Sequence, residues 1–392
     1  MPARTRLNCD VAILGASLAG SAAARELETS GAEVLVIDAR SFPREKPCGE
    51  GLSHHGVQIL SDLGCNIKDL AHCPLHGYRI VRGGREAYIP LVDSSGNAGA
   101  GVGIRRSVLD TAVLDLAAGQ KNTRTLLGSK VRRCHSDGNG FRIELASGCV
   151  IGARFVIDAS GARRVTEEGS SSQGLPQRYA STSHYLCDRP HGLREVQILV
   201  ERGFEVFVTP VSADILNVSL LASKSVFHEL CRDQGRESVR RIVAGRLGIR
   251  LEDSSGLLCT GPVGNRRRSA TKPGMFFVGD ACEQFDPIGG MGMTHAVLSG
   301  RLAGQMLTHT LRGELPFRTA ADRYDRLRSD AARPLRGFTR LTYLMLVALG
   351  PARVSSALAS SAVARQVSRA VHRIDDKPVT KLSEKIIELA GL

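Results

Sequence analysis

The feature that most constrains this chain is its opening strand, glycine turn, helix and second strand. Cys9-Asp10-Val11-Ala12-Ile13-Leu14 is a short apolar run of strand formers that stops at Gly15. Leu18 to Ser30 then reads as a helix rich in Ala, Glu, Leu and Arg, and Gly31 ends it. Glu33 to Ile37 reads as a second buried strand, closing on Asp38. Such a βαβ unit within about thirty residues implies a parallel pair of strands. Between strand and helix lies Gly15-Ala16-Ser17-Leu18-Ala19-Gly20, a G-x-S-x-x-G pattern. Gly15 permits the tight turn, the small Ser17 lets the backbone approach a pyrophosphate, and Gly20 lets helix and strand pack closely. The free N–H groups and dipole of the helix start favour negative charge there. Asp38 stands at the spacing expected of a ribose-binding carboxylate. The segment therefore points to a dinucleotide held on a Rossmann-like fold.

A second motif lies near residue 280. Met275-Phe276-Phe277 leads into Val278-Gly279-Asp280-Ala281, and Asp286-Pro287-Ile288-Gly289-Gly290-Met291-Gly292-Met293 opens a helix expected from Thr294 to Leu311. Asp280 is placed to accept a hydrogen bond from a ribityl hydroxyl. The N–H groups from Gly290 to Met293 are placed to face the pyrimidine end of a flavin, where negative charge collects on reduction. Gly-Asp-Ala followed by Pro-x-x-Gly-x-Gly-Met resembles the second FAD motif of the para-hydroxybenzoate-hydroxylase-like flavoproteins. That superfamily holds aromatic monooxygenases, geranylgeranyl reductases and flavin-dependent halogenases. Lys46-Pro47-Cys48-Gly49-Glu50-Gly51-Leu52 is similar to the Cys-Gly segment of the geranylgeranyl-reductase branch. Arg106-Ser107-Val108-Leu109-Asp110 resembles the family's Arg-x-x-Leu-Asp helix start, and Phe207-Val208-Thr209-Pro210 its pocket-covering strand. The resemblance covers residues 9 to 310.

The resemblance implies an α/β fold: a Rossmann-like FAD-binding domain with an inserted antiparallel β-sheet substrate domain and C-terminal helices. The implied division is 1–75, 100–165 and 268–311 for the FAD-binding domain, 76–99 and 166–267 for the substrate domain, and 312–392 for the helical region. Strands expected in the inserted sheet are Tyr78–Val81 and Glu86–Ile89 around Gly83-Gly84, then Val196–Val200, Glu205–Val208 and Ile215–Leu220. Gly96 to Gly103 and Gly169 to Ser172 read as loops. The residues assigned to FAD in the first part of the chain are Gly15, Ser17, Leu18, Ala19, Gly20, Asp38, Ala39, Arg40, Cys48, Gly49, Arg106, Val131 and Asp158. Gly279, Asp280, Pro287, Gly290, Gly292 and Met293 serve the ribityl and ring side.

The departures are as informative. The Asp-Gly step that the hydroxylases use for FAD and reduced nicotinamide is absent, because Asp158 is followed by Ala159. With no second glycine fingerprint, NAD(P)H enters only as a transient electron donor. The chain has no Trp, so the Trp-x-Trp-x-Ile-Pro signature of the halogenases is absent. Phe204-Glu205-Val206-Phe207 replaces the aromatic pocket strand usual in prenyl reductases.

Four side chains are candidates for the chemistry itself. Cys48 reads either as a pocket residue facing the flavin, as the reductase branch implies, or as a small buried hydrophobe in a turn. His54 or His55 could act on a phenol proton or simply cap the next helix, and His295 follows the glycine-rich loop. Lys46 and Arg40 are suited to neutralising phosphate, and Met293 to packing near the ring. No Ser/His/Asp arrangement stands out.

Composition trims the remaining options. A net charge of +13 attracts anions, but aromatics are only 4% and the arginines are spread, unlike a nucleic-acid module. The ten cysteines show no zinc spacing, so no metal is expected and a reducing compartment suits them. No signal-like segment precedes the first strand, and the longest apolar run, Leu341 to Gly350, is about half a bilayer span. A cytoplasmic monomer or homodimer is the expectation. Arg326 to Arg373 alternates apolar residues with arginines, as either a peripheral membrane-touching surface or a helical cover with a basic face. The resemblance favours an FAD monooxygenase using molecular oxygen, through a flavin C4a-hydroperoxide, on a hydrophobic aromatic or polyketide-type molecule. A reductase or dehydrogenase of a prenyl-like substrate is the alternative, and a non-catalytic FAD-stabilised protein a third.

Overall fold

The structure, a computed structural model, describes residues 6–92, 98–166 and 178–348. Two large sheets organise it. In the first, Met275–Phe277, Val150–Asp158, Arg6–Leu14, Val34–Ile37 and Thr123–Leu126 lie side by side, all parallel. Parallel strands covered on both faces should be continuously apolar. Val11 to Leu14 and Val34 to Ile37 are indeed buried without alternation. Thr271–Lys272 closes one edge, and the hairpin Val131–Ser136 and Phe141–Leu145 adds to Val150–Asp158. Helices Leu18–Glu26 and Gly292–Leu311 cover one face. The predicted helix to Ser30 is a helix to Glu26 continued as a tighter turn, Leu27–Ser30, before left-handed Gly31.

The second sheet is antiparallel apart from one pair. Its order is Leu251–Asp253, Arg178–Cys187, Ile215–Ser223, Phe204–Pro210, Glu195–Glu201, Gly77–Arg82, Arg85–Pro90, with Leu258–Val263 also on Arg178–Cys187. Alternation along a strand sends neighbours to opposite faces. Val206 and Val208 therefore join an apolar core with Phe227, Val239 and Val243 of helices Lys224–Leu230 and Asp233–Leu247. Glu205, Phe207 and Thr209 take the other face, toward the first sheet.

Backbone contact without intervening side chains sets the spacing between layers. A Cβ on Gly103 would lie 1.9 Å from the carbonyl oxygen of Pro210, and one on Gly300 would lie 2.0 Å from that of Ala19. Helix Phe317–Ala348 packs over the first sheet, where the Tyr324 hydroxyl donates to the carbonyl of Phe277 at 2.6 Å. Among the described residues no helix is long and apolar enough to cross a membrane. The Gly169–Ser172 loop and the stretch from 349 to Arg373 lie outside the described residues.

Candidate cofactor and substrate cavity

A cavity of about 270 Å³ lies between the two sheets. One end is the glycine turn, where Ser17, Leu18 and Ala19 border the space. Gly15 has φ +113°, and a Cβ there would lie 2.4 Å from the carbonyl oxygen of Ala159, so only glycine fits. Asp38 fastens the turn: its carboxylate accepts from Ala16 N and from Arg40 N, both at 2.8 Å.

Beside the turn sits a buried ionic knot. Arg106 donates through Nε and Nη2 to Asp110 at 2.8 and 2.9 Å, and through Nη2 to the Ser17 hydroxyl at 2.8 Å. Burial disfavours a charge on Asp110, yet the adjacent guanidinium holds its carboxyl below the usual range. Lys46 borders the cavity too, and burial and then Arg106 pull its pKa below the usual lysine value. The phosphate end is thus positively lined.

The loop Lys46–Glu50 crosses from this knot to the second sheet. The carbonyl of Cys48 accepts hydrogen bonds from Thr182 Oγ1 at 3.2 Å, Asn217 Nδ2 at 3.0 Å and Ser219 Oγ at 3.2 Å. These donors follow from strand register. Thr182 pairs with Ser219, and His184 with Asn217, which in turn pairs with Thr209. Two polar ranks therefore run across the cavity face. Glu50 lies above the second rank, with its carboxylate buried. It accepts from Arg106 N at 2.8 Å and Asn217 Nδ2 at 2.9 Å, and His184 Nε2 is 2.7 Å away. Cys48 borders the cavity, and Glu50 N donates to its sulfur at 3.4 Å.

The far end is the second motif. Gly279–Ala281 forms a tight turn that puts Gly279 and Asp280 on the cavity, and Pro287, Gly290, Gly292 and Met293 border it as well. Gly290 is left-handed at φ +63°, and the Tyr78 phenol lies 3.3 Å from where its Cβ would be. Burial pushes the Tyr78 hydroxyl up to about 12, so it keeps its proton. Val196, Ile198, Phe207 and Leu221 supply the apolar wall.

The other assigned residues sit elsewhere. Gly20 packs on Gly15, and Val131 packs into the core of the first sheet. Ala39 and Arg40 are exposed. The Asp158 carboxylate is occupied by Ser160 N, Ser160 Oγ and Thr166 Oγ1. His54 and His55 open helix His54–Asp62, capped by Ser53, and neither borders the cavity. His295 is buried behind the glycine-rich loop against Phe285 and Cys282, and burial lowers its pKa to about 4. Of the four candidates for chemistry, Cys48 is the one the fold brings to the cavity.

Tyr78, His184 and Thr182 carried no signal in the sequence, whereas Asn217 lay in the stretch that resembles the pocket-covering strand. Tyr78 read as an ordinary strand residue, and the strand Arg178–Cys187 has too many small polar residues to show a period. Glu45, Glu50 and His184 stand close together, but their neighbours are donors. Arg105 and Ser107 donate to Glu45, and Arg106 N and Asn217 to Glu50. That setting suits carboxylates and leaves no cluster of lone pairs for a cation.

The cavity fits a flavin dinucleotide. Two helix starts converge on it, and their cap residues, Ser17 and Met291, make no side-chain cap hydrogen bond, which leaves N–H groups for an anion. A methyl added at Gly49 or Gly292 would meet no protein atom within 4 Å, so the space beside both backbones is open.

Comparison with known proteins agrees. Residues 8–174 match the model of an FAD binding domain. A menaquinone reductase of Mycobacterium tuberculosis is 29% identical over 352 residues, 81% of each chain. A digeranylgeranylglycerophospholipid reductase of Thermoplasma volcanium is 24% identical over 338 residues, 82% of this chain and 83% of its own. Among solved structures, a flavin-dependent brominase superposes with a TM-score of 0.79 at 19% identity, covering 97% of this chain and 98% of its own. PqsL of Pseudomonas aeruginosa, in complex with 2-aminobenzoylacetate, superposes with a TM-score of 0.72 at 18% identity, covering 93% and 99%. Its glycine turn and Gly279-Asp280 motif thus stand in a chain that carries an FAD binding domain over residues 8–174 and shares the fold of a flavin-dependent brominase and a probable FAD-dependent monooxygenase.

Proposed function

We propose that this protein is an FAD-dependent reductase that saturates a carbon–carbon double bond in a lipophilic, prenyl-type or prenyl-quinone substrate. The observation that carries the reading is the cavity wall of Val196, Ile198, Phe207 and Leu221, in a space that Cys48 and Tyr78 also border. An apolar wall recognises a hydrocarbon chain, excludes water, and leaves few polar groups to misplace it. Relatives matching over four fifths of the chain are named as reductases of such molecules, which supports the same choice. Bound FAD supplies reversible two-electron chemistry. Ser17, Lys46 and Arg106 hold its phosphates, and Asp280 with the Gly290–Met293 backbone holds its ribityl and ring end. Tyr78 keeps a proton at Oη close to the Gly290 turn, where a reacting carbon can receive it.

Monooxygenation is the second reading. The hydroxyls of Thr182 and Ser219 on the cavity floor offer hydrogen bonds to a polar aromatic substrate. The two separate in one experiment. FAD-loaded protein is photoreduced without oxygen and mixed with menaquinone or a geranylgeranyl lipid, and products are read by mass. Flavin reoxidation is expected, with a gain of a hydrogen pair that survives reoxidation of any quinol in air. Reoxidation only on admitting oxygen, with a product heavier by one oxygen atom, would establish monooxygenation instead.

A further inference from the structure

Glu50 is the non-glycine residue with a left-handed backbone among those described, at φ +57°. That conformation costs about 1 kcal/mol for a residue with a Cβ, and it leaves Glu50 on the cavity lining with its carboxylate between Arg106, Asn217 and His184. The carboxylate is not merely anchored there. Arg106 N and Asn217 Nδ2 already bind it, and the third neighbour, His184 Nε2 at 2.7 Å, has a second ring nitrogen that leads onward. His184 Nδ1 lies 3.2 Å from Ser255 Oγ, which also accepts from His184 N at 2.9 Å and reaches the Gly256 carbonyl at 3.3 Å. His184 is buried, whereas Ser255 is half-buried between exposed Ser254 and Gly256. A continuous line of exchangeable groups thus runs from solvent through the sheet to a residue on the cavity wall.

We infer that Ser255, His184 and Glu50 form a proton relay that recharges the cavity during turnover. The ring takes a proton at Nδ1 from the Ser255 side and gives its Nε2 proton to Glu50. The carboxylate becomes a carboxylic acid and passes that proton to the cavity. Solvent returns a proton to Ser255 Oγ, and a half-turn of the ring restores Nε2–H, so charge and protons balance over the cycle and no other reactant is consumed. An anchoring role needs only donors to Glu50, and a glutamine at position 184 would supply one. A relay needs a group that gains and loses protons. The inference holds whether the reaction is reduction or oxygenation, because both move protons in or out of the same site.

The test uses the FAD-loaded full chain and two oxidants of the photoreduced protein: menadione, which takes up electrons with protons, and ferricyanide, which takes electrons alone. The ratio of the two rates corrects for flavin content. His184→Gln should lower the menadione-to-ferricyanide ratio on the order of tenfold or more, as loss of a general acid does. The His184→Gly variant should recover when imidazole is added. In protein labelled with ¹⁵N-histidine, the His184 ring should be singly protonated at Nε2, and Ser255→Ala should move the Nδ1 resonance. A His184→Gln ratio equal to wild type overturns the relay, as does a ring locked doubly protonated in every sample. Failure of prenyl substrates to reoxidise the wild type counts against the reductase reading alone, because neither menadione nor the ring resonance depends on it.

Discussion

The guanidinium of Arg178 grips the carboxylate of Asp286 through two nitrogens, Nε at 3.1 Å and Nη2 at 2.5 Å, joining the second sheet to the glycine-rich loop. The third nitrogen, Nη1, donates to Glu205 at 2.7 Å. Burial raises the Glu205 carboxyl above its usual range although Arg178 opposes it. Asp286 also accepts from Ile288 N at 3.0 Å, so one carboxylate both caps the Pro287–Gly289 turn and docks it on the sheet.

Asp286→Ala should therefore cost about 3 kcal/mol of stability, since it removes one partner of a buried ion pair. FAD should also dissociate more readily, because the loop that borders the ring end loses its tether. Asp286→Asn keeps the turn cap and loses only the charge, so it should fall between. Denaturant titration and flavin retention on gel filtration read both effects. Wild-type stability in the alanine variant would show that the pair is energetically idle.

The crossing of helices Leu18–Glu26 and Gly292–Leu311 predicts a contrast between two glycines. A Cβ at Gly300 would lie 2.0 Å from the Ala19 carbonyl oxygen, whereas one at Gly292 meets nothing within 4 Å. Gly300→Ala should cost about 1–3 kcal/mol by forcing the helices apart, and lower the melting temperature accordingly. Gly292→Ala should leave the melting temperature of the flavin-free protein unchanged and weaken FAD binding, because its methyl enters only the cofactor's space. Equal behaviour of the two variants would refute this division.

His295 makes the fold acid-sensitive. Its pKa falls from 6.5 to about 4 on burial, so between those values the unfolded chain binds a proton that the folded chain refuses. Its contribution is full above pH 6.5 and declines as pH falls toward 4, by about 3 kcal/mol in total at 1.36 kcal/mol per unit. His295→Leu should flatten the acid side of the stability profile over that window. Unchanged acid sensitivity in this variant would place the effect on other groups.

What could be read from the chain alone follows from how local each signal is. The βαβ unit and the Gly279–Met293 loop are fixed by glycines and apolar runs within a few residues, and both stand where the pattern put them. The Cys48–Glu50 segment was legible as a motif, but its setting was not. The donors that hold it, on Thr182, Asn217 and Ser219, come from strands more than 130 residues away and meet only through register. Arg178–Cys187, with the sequence RYASTSHYLC, mixes hydroxyls and a histidine into a strand that faces a polar floor, so no apolar period announces it. Gly300 and Gly304 were readable in principle, since small residues four apart on one helix face invite a close neighbour. Their role depends on Ala19 and Ala23, which sequence spacing cannot place opposite them.

The cavity wall offers the most direct check on substrate class. Val196 and Ile198 point from strand Glu195–Glu201 into the space that Phe207 also lines. Ile198→Trp enlarges one wall residue without touching the glycine turn, the ionic knot or the Gly290–Met293 backbone. The variant should bind FAD with the wild-type absorbance spectrum and be photoreduced at the wild-type rate. Its KM for a long prenyl chain should rise on the order of tenfold, a loss of about 1.4 kcal/mol of binding, while a short-chain analogue loses less. Steady-state kinetics over a chain-length series measure both. Equal losses for long and short chains would mean that the hydrocarbon tail lies outside this wall, and the substrate would then have to enter with its ring alone between Tyr78 and Cys48.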